Sequence, residues 1–328
     1  MTEPTDAAAE ADVSVGRVEF SVEWPPGHVA AYLVDGPELT LVDAGMDEQQ
    51  GREELREGLA DRGYDLADVD NLLVTHPHID HIGQTNTLIE AADPSVYAPA
   101  GVRDRFDRDL DDLRTTVEAH AEEAGVFGEY LEEAVDMSVE SLERNRELLD
   151  PDTVDVWVED GETVSVSGVD LDAVHAPGHQ ADHLCFHGEV GGQPVLLSGD
   201  MALPDFRPVA LHTGLDDGYQ DTIGAFYGAL DRLAELDVDR VYPGHGQVHS
   251  DFQAALERDR DSLDRLLSDA LESLGEDGKS AVEFAMERAG DRDIRHMLFE
   301  AIGALAHLER QGKAVSRVED GTRKYVTA

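Results

Sequence analysis

The sequence Thr75-His76-Pro77-His78-Ile79-Asp80-His81 directly follows the apolar run Leu72-Leu73-Val74. It places three imidazoles and one carboxylate within six residues, and these groups suit zinc first, with iron, cobalt and manganese as alternatives. The apolar run predicts a buried strand, and residues 82–92 predict a helix. The four side chains are therefore expected on a tight loop at the carboxyl end of the strand. One histidine beside a turn is often an ordinary surface residue, but four such side chains predict a metal site.

Three later apolar runs also end in a residue type that binds metals, next to a glycine. They are Ala176-Pro177-Gly178-His179, Leu196-Leu197-Ser198-Gly199-Asp200 and Val241-Tyr242-Pro243-Gly244-His245. An earlier run, Leu41-Val42-Asp43-Ala44-Gly45, has the same apolar, acidic and glycine form. Glycine allows the sharp or positive-φ turns that aim a side chain inward from the end of a strand. This recurrence argues strongly against unrelated surface residues.

In chain order these five elements resemble the pattern of the metallo-β-lactamase superfamily: an early Asp, then HxHxDH, a His, an Asp and a final His. The resemblance covers roughly residues 13 to 250. It implies an α/β fold, arranged as a four-layer αββα sandwich, and metal-assisted hydrolysis. It does not identify the compound that is cleaved, because one fold hosts many reactions.

The resemblance also implies which residues bind metal ions, expected to be two Zn2+, with iron or manganese as alternatives. It assigns His76, His78 and His179 to a first ion, Asp80, His81 and His245 to a second, and Asp200 to a bridge between them. Two divalent ions about 3.5 to 4 Å apart share a water and lower its pKa, so a bridging hydroxide is the expected nucleophile. Asp80 is expected to be catalytic, orienting this nucleophile while it binds the second ion.

Other residues near these motifs have different expected roles. Asp43 and His183 are expected outside the ligand set, where hydrogen bonds from such residues orient the ligands. His28 and His212 are candidates for the lining of the substrate pocket. Cys185 lies in the strand-like run Leu184-Cys185-Phe186 and is expected in the core rather than in catalysis.

The expected substrate is a small carbonyl compound: a thioester, an ester or a lactone. A metal-dependent ribonuclease or phosphodiesterase is the first alternative, because the same two-metal site can attack phosphorus. The scarcity of basic residues around the motifs disfavours a polyanionic substrate. A second alternative is a mononuclear iron enzyme related to persulfide dioxygenases. His81 and His245 argue against it, since a mononuclear site does not need them.

The charge of the chain is extreme: 72 acidic against 25 basic residues give a net charge of −47. Such a charge destabilises a compact chain by self-repulsion unless salt screens it, and the Debye length falls to about 3 Å at 1 M salt. The composition resembles that of halophile proteins and predicts a high-salt cytoplasm. We expect no disulfide, because there is one cysteine, and neither a signal peptide nor membrane association.

At 328 residues the chain predicts a catalytic domain with additions. Residues 1–12 are expected to be a flexible leader, and residues 13–250 the catalytic domain. An inserted helical hairpin is predicted at about residues 103–149. Its helices are expected either to form a lid over the substrate entrance or to pack, within one chain or in a homo-oligomer.

The tail, residues 251–328, is predicted to form three helices and a hairpin around Asp320-Gly321, an arrangement that resembles a winged-helix module. Winged helices often bind nucleic acid, and the tail ends with a local basic excess: Lys313, Arg317, Arg323 and Lys324. The preceding helices are acidic, however, whereas nucleic-acid sites normally show a strong basic stripe. Packing, roofing of the active site or dimerisation is therefore the favoured role of the tail.

Overall fold

A computed structural model describes residues 13–217, 221–290 and 294–328; the predicted leader lies outside these described residues. The strands are β1 (Ser14–Ser21), β2 (His28–Asp35), β3 (Leu39–Val42), β4 (Asn71–Leu73), β5 (Ser95–Pro99), β6 (Val156–Val158), β7 (Thr163–Val166), β8 (Val169–His175), β9 (Leu184–Val190), β10 (Gln193–Gly199), β11 (Arg240–Pro243), β12 (Ala314–Glu319) and β13 (Thr322–Thr327). The helices are α1 (Gln49–Ala60), α2 (Ile79–Ile82), α3 (Thr85–Ala92), α4 (Ala100–Phe106), α5 (Leu110–Ala124), α6 (Glu129–Leu148), α7 (Thr222–Leu233), α8 (Phe252–Ser273), α9 (Ala281–Ala289) and α10 (Arg295–Arg310).

Two mixed sheets form the body. One has six strands in the order β1-β2-β3-β4-β5-β6, antiparallel as far as β3 and parallel from β3 to β6. The other has five strands in the order β11-β10-β9-β8-β7, with only β10 and β11 parallel. The predicted metal-binding motifs directly follow β4, β8, β10 and β11, so strand ends from both sheets supply the site.

β2 shows how the sheets and helices share the core. Six consecutive apolar residues of β2 are all buried, as expected for a strand that is covered on both faces. Because successive side chains point to opposite faces, Ala31 and Leu33 pack in the larger apolar cluster, which includes helix side chains. Tyr32 and Val34 instead pack with Phe186 of the other sheet. The two sheets therefore enclose an apolar core of their own.

The helix predicted at residues 82–92 is divided in two, and this corrects the prediction. α2 ends at Ile82 and α3 begins at Thr85, with Gly83 between them. A Cβ atom at Gly83 would lie 2.0 Å from the backbone nitrogen of Asp47. The chain needs this glycine for a close backbone approach. Asp80 lies on the short helix α2 rather than on an open loop.

The predicted insertion contains α5 and α6, which pack against each other, with the shorter α4 before them. α5 begins after Asp109, whose side chain accepts hydrogen bonds from the backbone N–H groups of Asp111 and Asp112. It ends at Gly125, which has a left-handed φ of 99°. Both ends of α5 are thus encoded locally.

The tail has the predicted three helices and hairpin: α8, α9, α10 and the strands β12 and β13. It packs on the body rather than standing apart, since α10 contacts α7 as well as α8. Leu305 of α10 and Phe226 of α7 belong to the same buried apolar cluster. At Arg323, a salt bridge to Glu123 also joins the hairpin to α5.

Candidate metal centre

Three histidines converge with one carboxylate at the ends of β4, β8 and β10. Nε2 of His76 lies 3.0 Å from Nδ1 of His78, which lies 3.1 Å from Nε2 of His179. Oδ2 of Asp200 lies 3.2 Å from the same His179 nitrogen. The four residues each offer a ligand atom within 4.8 Å of the others. These are the residues expected around the first ion, with the expected bridging carboxylate.

Asp80, His81 and His245 form a second group whose ligand atoms also lie within 4.8 Å of one another. Nε2 of His245 lies 3.4 Å from Oδ2 of Asp80. Asp200 stands between the groups: its Oδ1 is 3.2 Å from Nε2 of His81, and its Oδ2 is 3.5 Å from Nε2 of His245. The structure thus brings together all seven predicted ligands.

Hydrogen bonds to the other ring nitrogen hold three of these histidines with Nε2 toward the centre. The three Nδ1 contacts are His81 to Oδ2 of Asp43 at 2.8 Å, His179 to the carbonyl oxygen of Val209 at 2.9 Å, and His245 to the carbonyl oxygen of His28 at 2.8 Å. Since a carbonyl or carboxylate oxygen can only accept, each Nδ1 carries a proton and donates the hydrogen bond, and in the neutral ring the lone pair is then on Nε2. Such partners set the orientation of metal-binding histidines.

Asp43 holds the HxHxDH stretch through Thr75. Its Oδ1 accepts from the Thr75 backbone N–H at 2.8 Å, and its Oδ2 accepts from the Thr75 hydroxyl at 2.9 Å. The hydroxyl oxygen lies 3.0 Å from Nδ1 of His76, so it can accept that proton in turn. Asp43 has a left-handed φ of 63°, which turns the chain sharply at the end of β3. Its contacts match the orienting role expected from the sequence.

His183 lies beside the centre but belongs to neither ligand group. Its Nε2 accepts a hydrogen bond from the backbone N–H of Asp200 at 3.0 Å. Its ring stacks at a tilt on that of His76, with centroids 4.8 Å apart. Burial lowers the pKa of His183 well below its usual value, consistent with a neutral ring that accepts from Asp200.

His28 and His212, the candidates for the substrate pocket, both contact the loops that carry ligands. Nε2 of His28 accepts from the backbone N–H of Gly246 at 3.1 Å, next to the residue whose ring contacts the His28 carbonyl. The backbone N–H of His212 donates to the carbonyl oxygen of His179 at 2.8 Å, and its φ is 50°. These contacts hold ligand loops in place.

The sequence interpretation missed several residues that shape the centre. The Val209 carbonyl has no sequence signal, because every residue type provides one. Gly244 was noted only as turn-forming, but a Cβ atom there would lie 2.6 Å from both Oδ1 of Asp200 and Cε1 of His81. Its position directly before His245 is the signal that identifies it. The Thr75 hydroxyl could likewise have been considered from its place before His76.

The electrostatics of the centre favour bound cations. Burial holds the pKa of His76 well below its usual value and lowers the pKa of His78 to about 3, which leaves neutral imidazoles. Burial raises the pKa of Asp200, but the charges of His245 and His81 outweigh burial and hold it well below the usual range. Burial lowers the pKa of His245, yet Asp200 and Asp80 raise it to about 10 overall. Without metal, a proton on the His245 ring therefore balances the charge of these carboxylates, and bound metal ions can balance it instead.

The residues fit divalent ions by two observations. Nε2 of His81 and Oδ1 of Asp200 are buried and lie 3.2 Å apart, but neither has a partner in hydrogen-bonding geometry among the described residues. The contacts of 3.0 to 3.5 Å between neighbouring ligand atoms also match a coordination shell, because a tetrahedron with bonds of about 2.0 to 2.1 Å has edges of about 3.3 Å. A set of imidazoles and carboxylates suits zinc, iron or manganese.

The comparison with known families agrees with this chemistry. The family described as the Metallo-beta-lactamase superfamily matches residues 24–245, from the residues before β2 to the last predicted ligand. The chain belongs to the metallo-β-lactamase superfamily. The expected α/β fold and the general class of metallo-hydrolase are thereby confirmed.

Similarity to superfamily members extends beyond the matched region. The probable metallo-hydrolase YqjP of Bacillus subtilis (strain 168) is 24% identical over 318 residues, covering 92% of this chain and 94% of YqjP. A crystal structure of a metallo-beta-lactamase family protein from Thermus thermophilus has a TM-score of 0.77 and 25% identity, covering 96% of this chain and 98% of that one. The insertion and the tail therefore have counterparts in other members.

A partial similarity is to a thioesterase. The atrochrysone carboxyl ACP thioesterase dmxR1 of Cryptosporiopsis sp. (strain 8999) is 26% identical over 194 residues, covering 53% of this chain and 56% of the thioesterase.

In the described part of the chain, no helix combines the length and the apolar character needed to cross a bilayer.

Proposed function

We propose that this protein is a dinuclear metal-dependent hydrolase that cleaves a small carbonyl substrate: a thioester, an ester or a lactone. The observation that carries the proposal is the position of Asp200, whose two carboxylate oxygens face different histidines of the two ligand groups. The proposed ligands of the first ion are His76, His78 and His179, those of the second are Asp80, His81 and His245, and Asp200 is shared.

Each part of the centre has a distinct task in this proposal. Two divalent ions, when bound, supply a water of lowered pKa and a Lewis acid for the substrate oxygen and the leaving group. Asp80 accepts a proton from this water and orients the hydroxide that remains, which then attacks the substrate carbonyl. Asp43 and His183 keep the ligands in place, Asp43 through His81 and Thr75, and His183 through the Asp200 backbone. No protein nucleophile is required.

The charges around the centre support a carbonyl substrate over a phosphodiester. Arg17 and Arg207 are arginines that lie near the ligand-bearing loops, and each is paired with a glutamate. Arg17 donates to the carbonyl oxygen of Gly246 and pairs with Glu19, while Arg207 pairs with Glu300. Neither offers an uncompensated cation to a phosphate. The partial likeness to a fungal ACP thioesterase also supports a thioester.

The tail gives similarly little support to a nucleic-acid substrate. We propose that its winged-helix-like arrangement packs on the catalytic domain and completes it. The cations of its hairpin are paired with nearby carboxylates: Lys324 with Glu283, and Arg323 with Glu123. Phosphate binding would first have to break these pairs, whereas nucleic-acid affinity depends on free cations that release counterions.

The proposed setting is a cytoplasm of high ionic strength. The net charge of −47 supports it, because self-repulsion of this size requires strong screening. High salt suppresses the long-range electrostatic steering of charged substrates. A small neutral substrate is therefore favoured over a charged one in such a medium.

The test is a substrate panel in molar potassium chloride, comparing kcat/KM for acyl thioesters, esters, lactones and phosphodiesters. The proposal expects turnover of at least one carbonyl class and its loss after chelation. Asp80→Ala should lower kcat by more than about 100-fold, the lower end for a general base. Asp172→Ala, at an exposed strand position, is the matched control and should leave kcat unchanged. Hydrolysis of phosphodiesters alone would overturn the substrate class.

A further inference from the structure

Glu300 is a buried carboxylate in the tail that the proposed chemistry does not use. It lies on α10 among residues such as Ala301 and Leu305 that are fully buried. Oε1 of Glu300 lies 2.5 Å from an Arg207 guanidinium nitrogen, and Oε2 lies 3.3 Å from a guanidinium nitrogen of Arg288. A carboxylate this deeply buried is tolerated only when it is paired, and Glu300 is paired on both oxygens.

The partners of Glu300 lead directly to a predicted metal ligand. Oε1 of Glu300 also accepts from the backbone N–H of Ala210 at 3.3 Å. Arg207 and Ala210 lie on either side of Val209, whose carbonyl oxygen contacts Nδ1 of His179 at 2.9 Å. One carboxylate in the tail therefore fixes the chain on both sides of the single carbonyl that orients this imidazole.

Two further side chains of the tail hold the same segment, residues 203–211. Arg258 of α8 donates to the carbonyl oxygens of Leu203 and of Pro204, the latter at 2.6 Å. The hydroxyl of Ser262, one turn further along α8, accepts from Nε of Arg207 at 3.1 Å. The segment thus lies against the tail along its length, with His179 on its other side.

We propose that Glu300 is a positioning residue for the metal centre: through Arg207 and Ala210 it holds the Val209 carbonyl against Nδ1 of His179. The inference rests on the proposed function, in that His179 is taken as a metal ligand. Without the Glu300 contacts, the carbonyl is free to shift, and the His179 ring loses the bond that keeps its Nε2 toward His78. The tail then helps to form the metal centre, although its described residues supply none of the proposed ligands.

The decisive experiment compares Glu300→Gln with Glu123→Gln. Each variant removes one carboxylate that forms an ion pair with an arginine where the tail contacts the body. Glu123 pairs with Arg323 of the hairpin, however, and both residues are far in sequence from residues 203–211. Each protein is loaded with Co2+, its visible absorption spectrum is recorded, and its affinity for the two ions is measured by competition with a chelator. Thermal unfolding of the metal-free proteins is measured in parallel.

The expected result for Glu300→Gln is a changed Co2+ spectrum and an affinity for one ion about 10-fold weaker, the lower end for loss of outer hydrogen-bond partners. Glu123→Gln should keep the wild-type spectrum and affinity even if its Tm falls. Ser262→Ala removes only the hydroxyl contact to Arg207 and should give a smaller weakening of the same ion. It keeps the test informative if Glu300→Gln does not fold.

Three outcomes would overturn the proposal. Wild-type spectrum and affinity in Glu300→Gln would show that the contact does not reach the centre, and so would wild-type values in Ser262→Ala if Glu300→Gln fails to fold. Equal changes in Glu123→Gln would indicate a general effect of loosening the tail. The proposed function fails in a different way, because in that case the wild-type protein itself would not bind two ions.

Discussion

Replacing Asp43 by asparagine changes one atom and tests how the centre is organised. The carboxylate accepts three hydrogen bonds: from the Thr75 N–H at 2.8 Å, from the Thr75 hydroxyl at 2.9 Å and from Nδ1 of His81 at 2.8 Å. The asparagine NH2 group donates and cannot accept. Asp43→Asn therefore keeps the shape of the side chain but cannot satisfy all three donors.

Both orientations of the new amide are unfavourable. With its nitrogen in the place of Oδ1, the Thr75 N–H is left without an acceptor. With its nitrogen in the place of Oδ2, Nδ1 of His81 faces a donor and can regain a bond only by moving its proton to Nε2. That nitrogen faces Asp200 and is the atom proposed to bind the second ion.

The cost follows from burial. An unsatisfied buried donor costs about 1 to 3 kcal/mol, and the remaining bonds lose the added strength of a charged acceptor. We expect the free energy of unfolding of the metal-free protein to fall by about 3 kcal/mol. For a chain of 328 residues that corresponds to a Tm lower by about 4 °C. Affinity for the second ion should weaken by about 10- to 100-fold.

The assay is urea unfolding of the chelated protein in molar salt, followed by metal titration. Asp70→Asn is the matched control: Asp70 accepts from the Leu39 N–H at 2.7 Å, and an asparagine oxygen can keep that bond. The control should stay within about 0.5 kcal/mol of wild type. A stability loss for Asp43→Asn no larger than that of the control, with unchanged metal affinity, would refute the reasoning.

Three further predictions follow from burial, close packing and charge. Burial raises the pKa of Asp259 to about 6, so ionisation of this carboxyl destabilises the fold as pH rises from about 4 to 6. In urea unfolding, Asp259→Asn should have the same free energy of unfolding as wild type below pH 4 and a value up to about 3 kcal/mol higher above pH 6. A difference that does not change with pH would contradict this. Gly244→Ala should lower the free energy of unfolding by about 1 to 3 kcal/mol and weaken metal binding. The control Gly228→Ala should not destabilise the protein, because Gly228 lies in α7 with no atom within 4 Å of its Cβ position. Equal changes in Tm for the two variants would contradict the close approach at Gly244. The Tm of wild type should rise between 0.1 M and molar potassium chloride, because salt screens the self-repulsion of the chain. A neutral osmolyte at the same concentration should raise the Tm less. A Tm independent of salt would contradict the claim that the net charge destabilises the protein at low ionic strength.

The residues that converge at the centre could be predicted from the sequence because each lies near the end of a strand. An apolar run, a glycine and a histidine or aspartate in succession specify where the strand stops and which side chain follows it. His179 and His245 are recognisable for this reason, although they are far apart along the chain. The fold class followed, because the order of these elements resembles a known superfamily.

The features that could not be predicted depend on contacts between distant segments. The backbone of Gly83 lies against that of Asp47, and nothing near Gly83 in the sequence indicates that contact. The carbonyl of Val209 and the ring of His28 form hydrogen bonds to residues far away in the sequence, and no local pattern indicates those partners. Packing of the tail on the body was one of three expected roles, beside roofing of the active site and dimerisation, but its bonds to the 203–211 segment required the structure.

The number of metal ions per chain can be measured by elemental analysis on protein kept in molar salt. We expect about two divalent ions per chain in wild type and about one in His245→Ala. The control His187→Ala should keep about two, because the His187 ring contacts the carbonyl oxygen of Asp237 instead. One ion per wild-type chain, unchanged in His245→Ala, would contradict the dinuclear centre.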